Sequence, residues 1–178
     1  MIRDGSRLLY AVGIGIVALL AAAFGMMALT RSFVVKGPSM RPTLLDGDRV
    51  LVCRHAYNRR MPERGEIAVF YHPSNDRRIL IKRVVGLPGD EILITGGVVY
   101  INRCFVAPVS QQAMDLPATR LEPGQLFVMG DNRTASADST LPGFGAVHTE
   151  QLIGPVRAIY WPPRRIRSVG KGVTPGLP

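Results

Sequence analysis

The hydrophobic pattern divides this chain at Arg31. From Leu8 to Thr30 no residue is charged, a run of 23 positions. As a helix it would reach about 34 Å, enough to cross a hydrocarbon core of about 30 Å. Arg3 and Arg7 precede the run and Arg31 ends it. The positive-inside rule counts such short flanks and largely ignores long translocated domains. The pattern therefore predicts a cytoplasmic N-terminus over 1–7, one transmembrane anchor over 8–30, and everything after Arg31 outside the cytoplasmic membrane. A cleaved secretory signal is the rival reading, because Ala21-Ala22-Ala23 offers small residues. The run is longer than an ordinary signal core, which favours an uncleaved anchor.

Beyond Arg31 the pattern becomes short alternating runs broken by turns. Extended segments are predicted over 32–35, 49–54, 66–71, 79–85, 91–95, 98–102, 125–129 and 153–160. Pro38 and Pro42 exclude a long helix between the first two. Gly96-Gly97 joins 91–95 to 98–102 as a hairpin. In 79–85, Leu80, Lys82 and Val84 share one face, and Ile79, Ile81, Arg83 and Val85 the other. Residues 106–123 read as irregular and polar, and 168–178 as a loose tail. The fold class expected is mainly β, an antiparallel domain over 31–167 behind one N-terminal transmembrane helix.

Composition supports this outline. Fourteen prolines and nineteen glycines in 178 residues imply many turns. The formal net charge of +9 suits nucleic acid, an anionic membrane surface, or an ordinary solvated basic face. No nucleic-acid motif is present, so no nucleic-acid partner is expected. With an anchor, lipid headgroups are the favoured partner of Arg164, Arg165, Arg167 and Lys171. Cys53 and Cys104 form no disulfide framework or metal motif; a single pairing between them stays open, beside two separate buried thiols.

Three words along the chain carry chemistry. The first is Gly37-Pro38-Ser39-Met40-Arg41-Pro42-Thr43-Leu44. The second runs from Ile81-Lys82-Arg83-Val84-Val85 through Gly86-Leu87-Pro88-Gly89-Asp90. The third is Gly130-Asp131-Asn132-Arg133, followed by Ser136 and Asp138. A serine hydroxyl is a poor nucleophile until a base takes its proton. His55, His72 and His148 sit in no triad signature and read as surface or loop residues. A lysine can act instead if burial favours its neutral amine. Lys82, between Ile79, Leu80, Ile81, Val84 and Val85, is placed for that. On its strand alone it reads equally as a lysine whose head reaches water, and Ser39 alone reads as a turn serine beside proline.

Together and in this order, the three words resemble the bacterial type I signal peptidases, membrane-anchored serine proteases with a Ser–Lys dyad. The resemblance covers roughly residues 31 to 163. It implies a catalytic domain of coiled antiparallel sheets and an acyl-enzyme on Ser39, with Lys82 as general base. It implies that Ser136 orients the lysine amine, with Asp131, Arg133 and Asp138 as scaffold, and no metal or cofactor. By alignment to the family motif, Phe33, Val35, Met40, Leu44, Val50, Leu80 and Ile81 line shallow substrate pockets; each also reads as ordinary core. The implied substrates are exported preproteins cut after small-x-small sites. The implied partners are their signal peptides, membrane lipid and the protein-export machinery.

Two positions depart from the family pattern. Gly37 stands where relatives often carry a serine whose hydroxyl helps bind the oxyanion. Thr140 stands where an arginine usually follows Asp138-Ser139, leaving that aspartate without its expected cation. Two other functions stay open at this point. One is a specialised relative maturing a dedicated substrate, such as a pilin or conjugation protein. The other is a non-catalytic anchored β domain. A self-cleaving Ser–Lys repressor would need a DNA-binding domain where this chain has its apolar run.

Overall fold

A computed structural model describes residues 10, 12–21, 25, 29–109 and 113–172. Among the described residues twelve strands follow one another: β1 (Thr30–Val34), β2 (Arg49–Cys53), β3 (Ile67–His72), β4 (Asn75–Gly86), β5 (Glu91–Thr95), β6 (Val98–Ile101), β7 (Cys104–Pro108), β8 (Leu116–Arg120), β9 (Gln125–Met129), β10 (Val147–His148), β11 (Leu152–Trp161) and β12 (Arg167–Ser168). They form two antiparallel sheets. The larger runs β1-β2-β11-β3-β4-β9-β10, with β12 added to β11. The smaller runs β7-β6-β5-β8. The mainly β expectation matches this architecture.

Alternation explains the large sheet. In β2, Val50 and Val52 are fully buried between more exposed neighbours, the period-2 pattern of a half-covered strand. β3 is buried over Ile67, Ala68, Val69 and Phe70, because both of its faces are covered. Val50, Val52, Ile67, Val69, Ile153, Val156 and Ile159 form one apolar cluster with Met40 and Leu44. Ala68, Phe70, Val84, Leu126, Val128 and Val147 form another on the opposite face. The small sheet packs its Ile92, Ile94, Val99 and Ile101 on Val85, Phe127 and Met129 of the large one. Gly86 lies at this junction: a Cβ there would sit 2.8 Å from the Phe127 Cβ. β4 thus leaves the large sheet through a position where only glycine fits without displacement.

Several elements differ from expectation. Residues 106–123, expected to be irregular, contain most of β7 and all of β8. β8 is exposed at four of its five positions, so it carries no apolar alternation to read. The tail is docked as far as Gly172 rather than loose from Ser168. β12 pairs with β11, Val169 is buried in the first cluster, and the Gly172 N–H donates to the Gly65 carbonyl at 3.0 Å. Residues 173–178 lie outside the described residues. Cys53 and Cys104 are free thiols, each half-buried.

The apolar run over 8–30 is only partly described. Tyr10, 12–21, Gly25 and Leu29 are helical. Among the described residues no helix is long and apolar enough to cross a membrane. The remaining positions of the expected anchor, and the expected cytoplasmic stretch 1–7, lie outside the described residues.

The basic cluster near the end also differs from a free lipid-facing patch. Arg165 donates from Nε and Nη2 to Asp48, both at 2.9 Å. Arg167 donates to the Thr43 carbonyl at 2.6 Å, and Lys171 pairs with Glu63. Asp48 is 1% exposed and also accepts the Leu45 N–H. Burial pushes its carboxyl up, but the Arg165 hydrogen bonds and charge outweigh this and hold it below the usual carboxylate range. Its contribution to stability is complete above the unfolded aspartate pKa and is lost as pH falls through the lower folded value. Asp48→Asn is expected to cost about 2 kcal/mol, less than a fully buried pair because Arg165 keeps access to water. Urea melts at neutral pH check this. The variant is also expected to lose part of the wild type's acid sensitivity.

Candidate active site

Three segments converge on one cleft. β4 brings Lys82 by pairing with β3 in a register that sets Lys82 opposite Ala68. Lys82 is 3% exposed, and its Nζ donates to Ser136 Oγ at 2.9 Å. Burial pulls its pKa from 10.5 down to about 8, against an opposing pull from the charges of Asp138 and Asp131. Desolvation wins because an ammonium loses more by leaving water than two carboxylates return at this range. A substantial fraction of the amine is therefore neutral near pH 8.

Ser39 sits in the turn between β1 and β2. Gly37 takes a left-handed φ of 83° there, a conformation open to glycine at no steric cost. Its N–H donates to Asp46 Oδ1 at 2.6 Å. The Pro38 carbonyl accepts the Arg41 N–H at 3.0 Å, and Met40 is buried beneath the turn. Ser39 is half-buried and lines the same cleft as Lys82.

The third segment follows β9 and locks the other two together. The Asn132 N–H donates to the Ser39 carbonyl at 3.0 Å. Gly130 lies so near that a Cβ on it would be 2.5 Å from the Ser39 carbonyl oxygen and 2.6 Å from Ser136 Cβ. Ser136 and Asp138 are 6% and 2% exposed. Asp138 accepts the Gly130 N–H at 2.8 Å, the Thr140 N–H at 3.2 Å and the Thr140 hydroxyl at 2.8 Å. Thr140, noted as a departure from the family pattern, thus supplies two donors where an arginine was missing.

Asp131 and Arg133 are not each other's partners. Asp131 takes a forked ion pair from Arg83, Nε to Oδ1 at 2.7 Å and Nη2 to Oδ2 at 2.6 Å. Arg83 also donates to the Gly65 carbonyl at 2.6 Å. Arg83 was legible only as a residue on the far face of β4, and nothing in the sequence pointed 48 positions ahead to its partner. Arg133 sets its Nη1 against Met129 Sδ at 2.7 Å, and burial lowers its pKa.

The cleft holds about 150 Å³ and is lined by Phe33 to Lys36, Ser39, Met40 and Ile79 to Lys82. Of the expected pocket residues, Phe33, Val35, Met40, Leu80 and Ile81 line it. Leu44 and Val50 do not; both are 0% exposed in the apolar cluster with Met40. Val34, Lys36 and Ile79 were not expected and do line it. Two strand edges border the cleft. β1 pairs with β2 on one side, and residues 79–82 pair with β3 on one side, since β9 meets β4 only from Arg83 onward.

The chain is similar in sequence to known proteins. The family described as signal peptidase, peptidase S26, matches residues 8–161. Signal peptidase I of Bacillus caldolyticus is 35% identical over 148 residues, covering 74% of this chain and 79% of its own length. Signal peptidase IB of Staphylococcus aureus is 31% identical over 169 residues, covering 80% and 86%. A crystal structure of a signal peptidase I from Enterococcus faecalis V583 aligns at a TM-score of 0.43 and 28% identity, over 54% of this chain and 97% of the other. The chain belongs to the signal peptidase family, peptidase S26, and is a serine peptidase hydrolase.

Proposed function

We propose that this protein is a membrane-anchored type I signal peptidase that removes signal peptides from exported preproteins. The observation that carries the proposal is the buried, partly neutral Lys82 amine, held by Ser136 and sharing one cleft with Ser39. The neutral amine takes the Ser39 proton as Oγ attacks the scissile carbonyl carbon. The resulting oxyanion is met by the Ser39 N–H. The Lys82 ammonium then gives its proton to the leaving amine, leaving an acyl-enzyme on Ser39. Water, deprotonated by the same amine, attacks the ester and releases the carboxylic acid. Ser136 holds the amine by its hydrogen bond, and Asp131 and Asp138 keep the Gly130 segment in place.

The substrate enters extended, adding a strand between residues 32–34 of β1 and residues 79–82 of β4. Residues one and three before the bond then point the same way, because side chains in a strand alternate. On this reading those two side chains meet the apolar walls of Phe33, Val35, Met40, Leu80 and Ile81, and clashes with these walls select small residues. Residues 8–30 anchor the chain in the cytoplasmic membrane with residues 31–172 on the extracytoplasmic side. Val12, Ile14, Ile16, Val17, Leu19 and Leu20 are each more than half exposed, as lipid-facing side chains would be. On this reading Ser39, eight residues past Arg31, lies near the outer bilayer face, where a cleavage region emerges.

The test is a labelled preprotein with a small-x-small site, incubated with detergent-solubilised wild type and Ser39→Ala. Cleavage by the wild type, with loss of at least about 10³-fold in the variant, is expected. Equal cleavage by both would remove Ser39 from the chemistry.

A further inference from the structure

The groups around Gly37 leave the oxyanion with few donors. Gly37 has no side chain, and its N–H is committed to Asp46 Oδ1 at 2.6 Å. On the reading proposed above, stabilisation of the tetrahedral state then rests on the Ser39 N–H. That N–H belongs to the Pro38–Ser39 peptide, which is trans. Its direction is therefore fixed by whatever holds the Pro38 carbonyl at the other side of the same plane.

Asn132 holds it. Its Nδ2 donates to the Pro38 carbonyl at 3.3 Å, and its backbone N–H donates to the Ser39 carbonyl at 3.0 Å. One residue thus grips the carbonyls on both sides of the nucleophile. The orientation of the Asn132 amide follows from its partners. A carbonyl can only accept, so the nitrogen faces Pro38, and the Thr134 hydroxyl donates to Oδ1 at 3.1 Å. A donor on a peptide carbonyl also polarises the peptide and strengthens its own N–H as a donor.

We infer that Asn132 is a positioning residue for the oxyanion site, orienting the Ser39 N–H through its hydrogen bond to the Pro38 carbonyl. The inference deepens the signal-peptidase reading and rests on it. It assigns the role to transition-state binding rather than to substrate affinity, to folding or to the lysine amine.

The experiment compares wild type, Asn132→Ala and Thr134→Val, with Ser39→Ala as the blank. Each is assayed on a preprotein for kcat and KM across pH, and for binding of a peptide aldehyde ending in alanine. Ser39 Oγ adds to the aldehyde carbon, the hydroxyl proton passes to Lys82 Nζ, and the carbonyl electron pair becomes an oxyanion. Asn132→Ala is expected to lower kcat about 10- to 100-fold. Aldehyde affinity should fall in parallel, with KM, melting temperature and the midpoint of the pH profile unchanged. Thr134→Val, which frees the amide without removing it, gives a smaller loss in the same direction. Unchanged kcat and aldehyde affinity in Asn132→Ala overturn the inference, as does a loss confined to KM or accompanied by a shifted pH midpoint. If Asn132→Ala does not fold, Thr134→Val decides by the same readouts. A wild type that neither cleaves nor binds the aldehyde overturns the signal-peptidase reading and the inference together.

Discussion

Lys82→Met is expected to abolish cleavage and to make the protein more stable. The two effects have one cause. The folded pKa of about 8 lies below the 10.5 of an exposed lysine, a difference of 2.5. At 1.36 kcal/mol for each pKa unit, placing the charged amine in this site costs about 3 kcal/mol. The cost is complete below pH 8. It shrinks as pH rises between the folded and unfolded values, because there the unfolded chain binds more protons than the folded one. Methionine has similar length and no charge to desolvate. Its gain is reduced by about 1 kcal/mol for the lost hydrogen bond to Ser136. A net stabilisation of about 2 kcal/mol at pH 7 would raise the melting temperature by several degrees in a chain of this size. The gain should disappear towards pH 10. Cleavage, in contrast, should fall at least about 10³-fold at every pH, since the proposed mechanism loses its general base. Thermal melts from pH 6 to 10 beside a cleavage assay check both. A dead variant that is less stable at pH 7 would mean that Lys82 is a structural cation rather than a strained base.

Gly130→Ala is expected to lose about 10²-fold in turnover while remaining folded. The added methyl would contact Ser136 Oγ and sit 2.5 Å from the Ser39 carbonyl oxygen. Neither neighbour is the free end of a flexible side chain. One is the backbone of Ser39, the proposed nucleophile, and the other the hydroxyl that accepts from the Lys82 amine. Relief requires the Gly130 segment to back away, which separates Ser39, Lys82 and Ser136. Overpacking of this kind costs about 1–3 kcal/mol in stability, and an ångström of misplacement in a reacting pair costs about 10²-fold in rate. Both numbers come from one preparation, by melting and by single-turnover cleavage. Wild-type turnover in the alanine variant would contradict the close approach of the three segments.

These two residues illustrate what the sequence made legible. The segment around Lys82 announced a strand through its apolar neighbours, but its register against Ala68 was not legible, because Ile67 to Phe70 and Lys82 to Val85 are buried without alternation. Gly130 was recognisable as part of a word, but not as the position whose missing Cβ admits Ser39 and Ser136. Contacts between distant segments were the least visible. Arg83 with Asp131, Arg165 with Asp48 and Asn132 with Pro38 each join positions tens of residues apart, and no local pattern encodes such a pairing. β8 escaped notice for another reason. Leu116-Pro117-Ala118-Thr119-Arg120 is mostly exposed and owes its conformation to pairing with β5 rather than to its own composition. Leu44 and Val50 lie buried in the cluster with Met40 and do not line the cleft, a difference the sequence does not carry, since an apolar residue near Ser39 reads alike in either place.

The central claim concerns one amine, and it can be titrated directly. The chain has three lysines, Lys36, Lys82 and Lys171, so labelled lysine would give few NMR signals, and the one missing from Lys82→Met identifies residue 82. The expected midpoint for that amine is about 8. A midpoint near 10.5, the value of a lysine in water, would contradict the account.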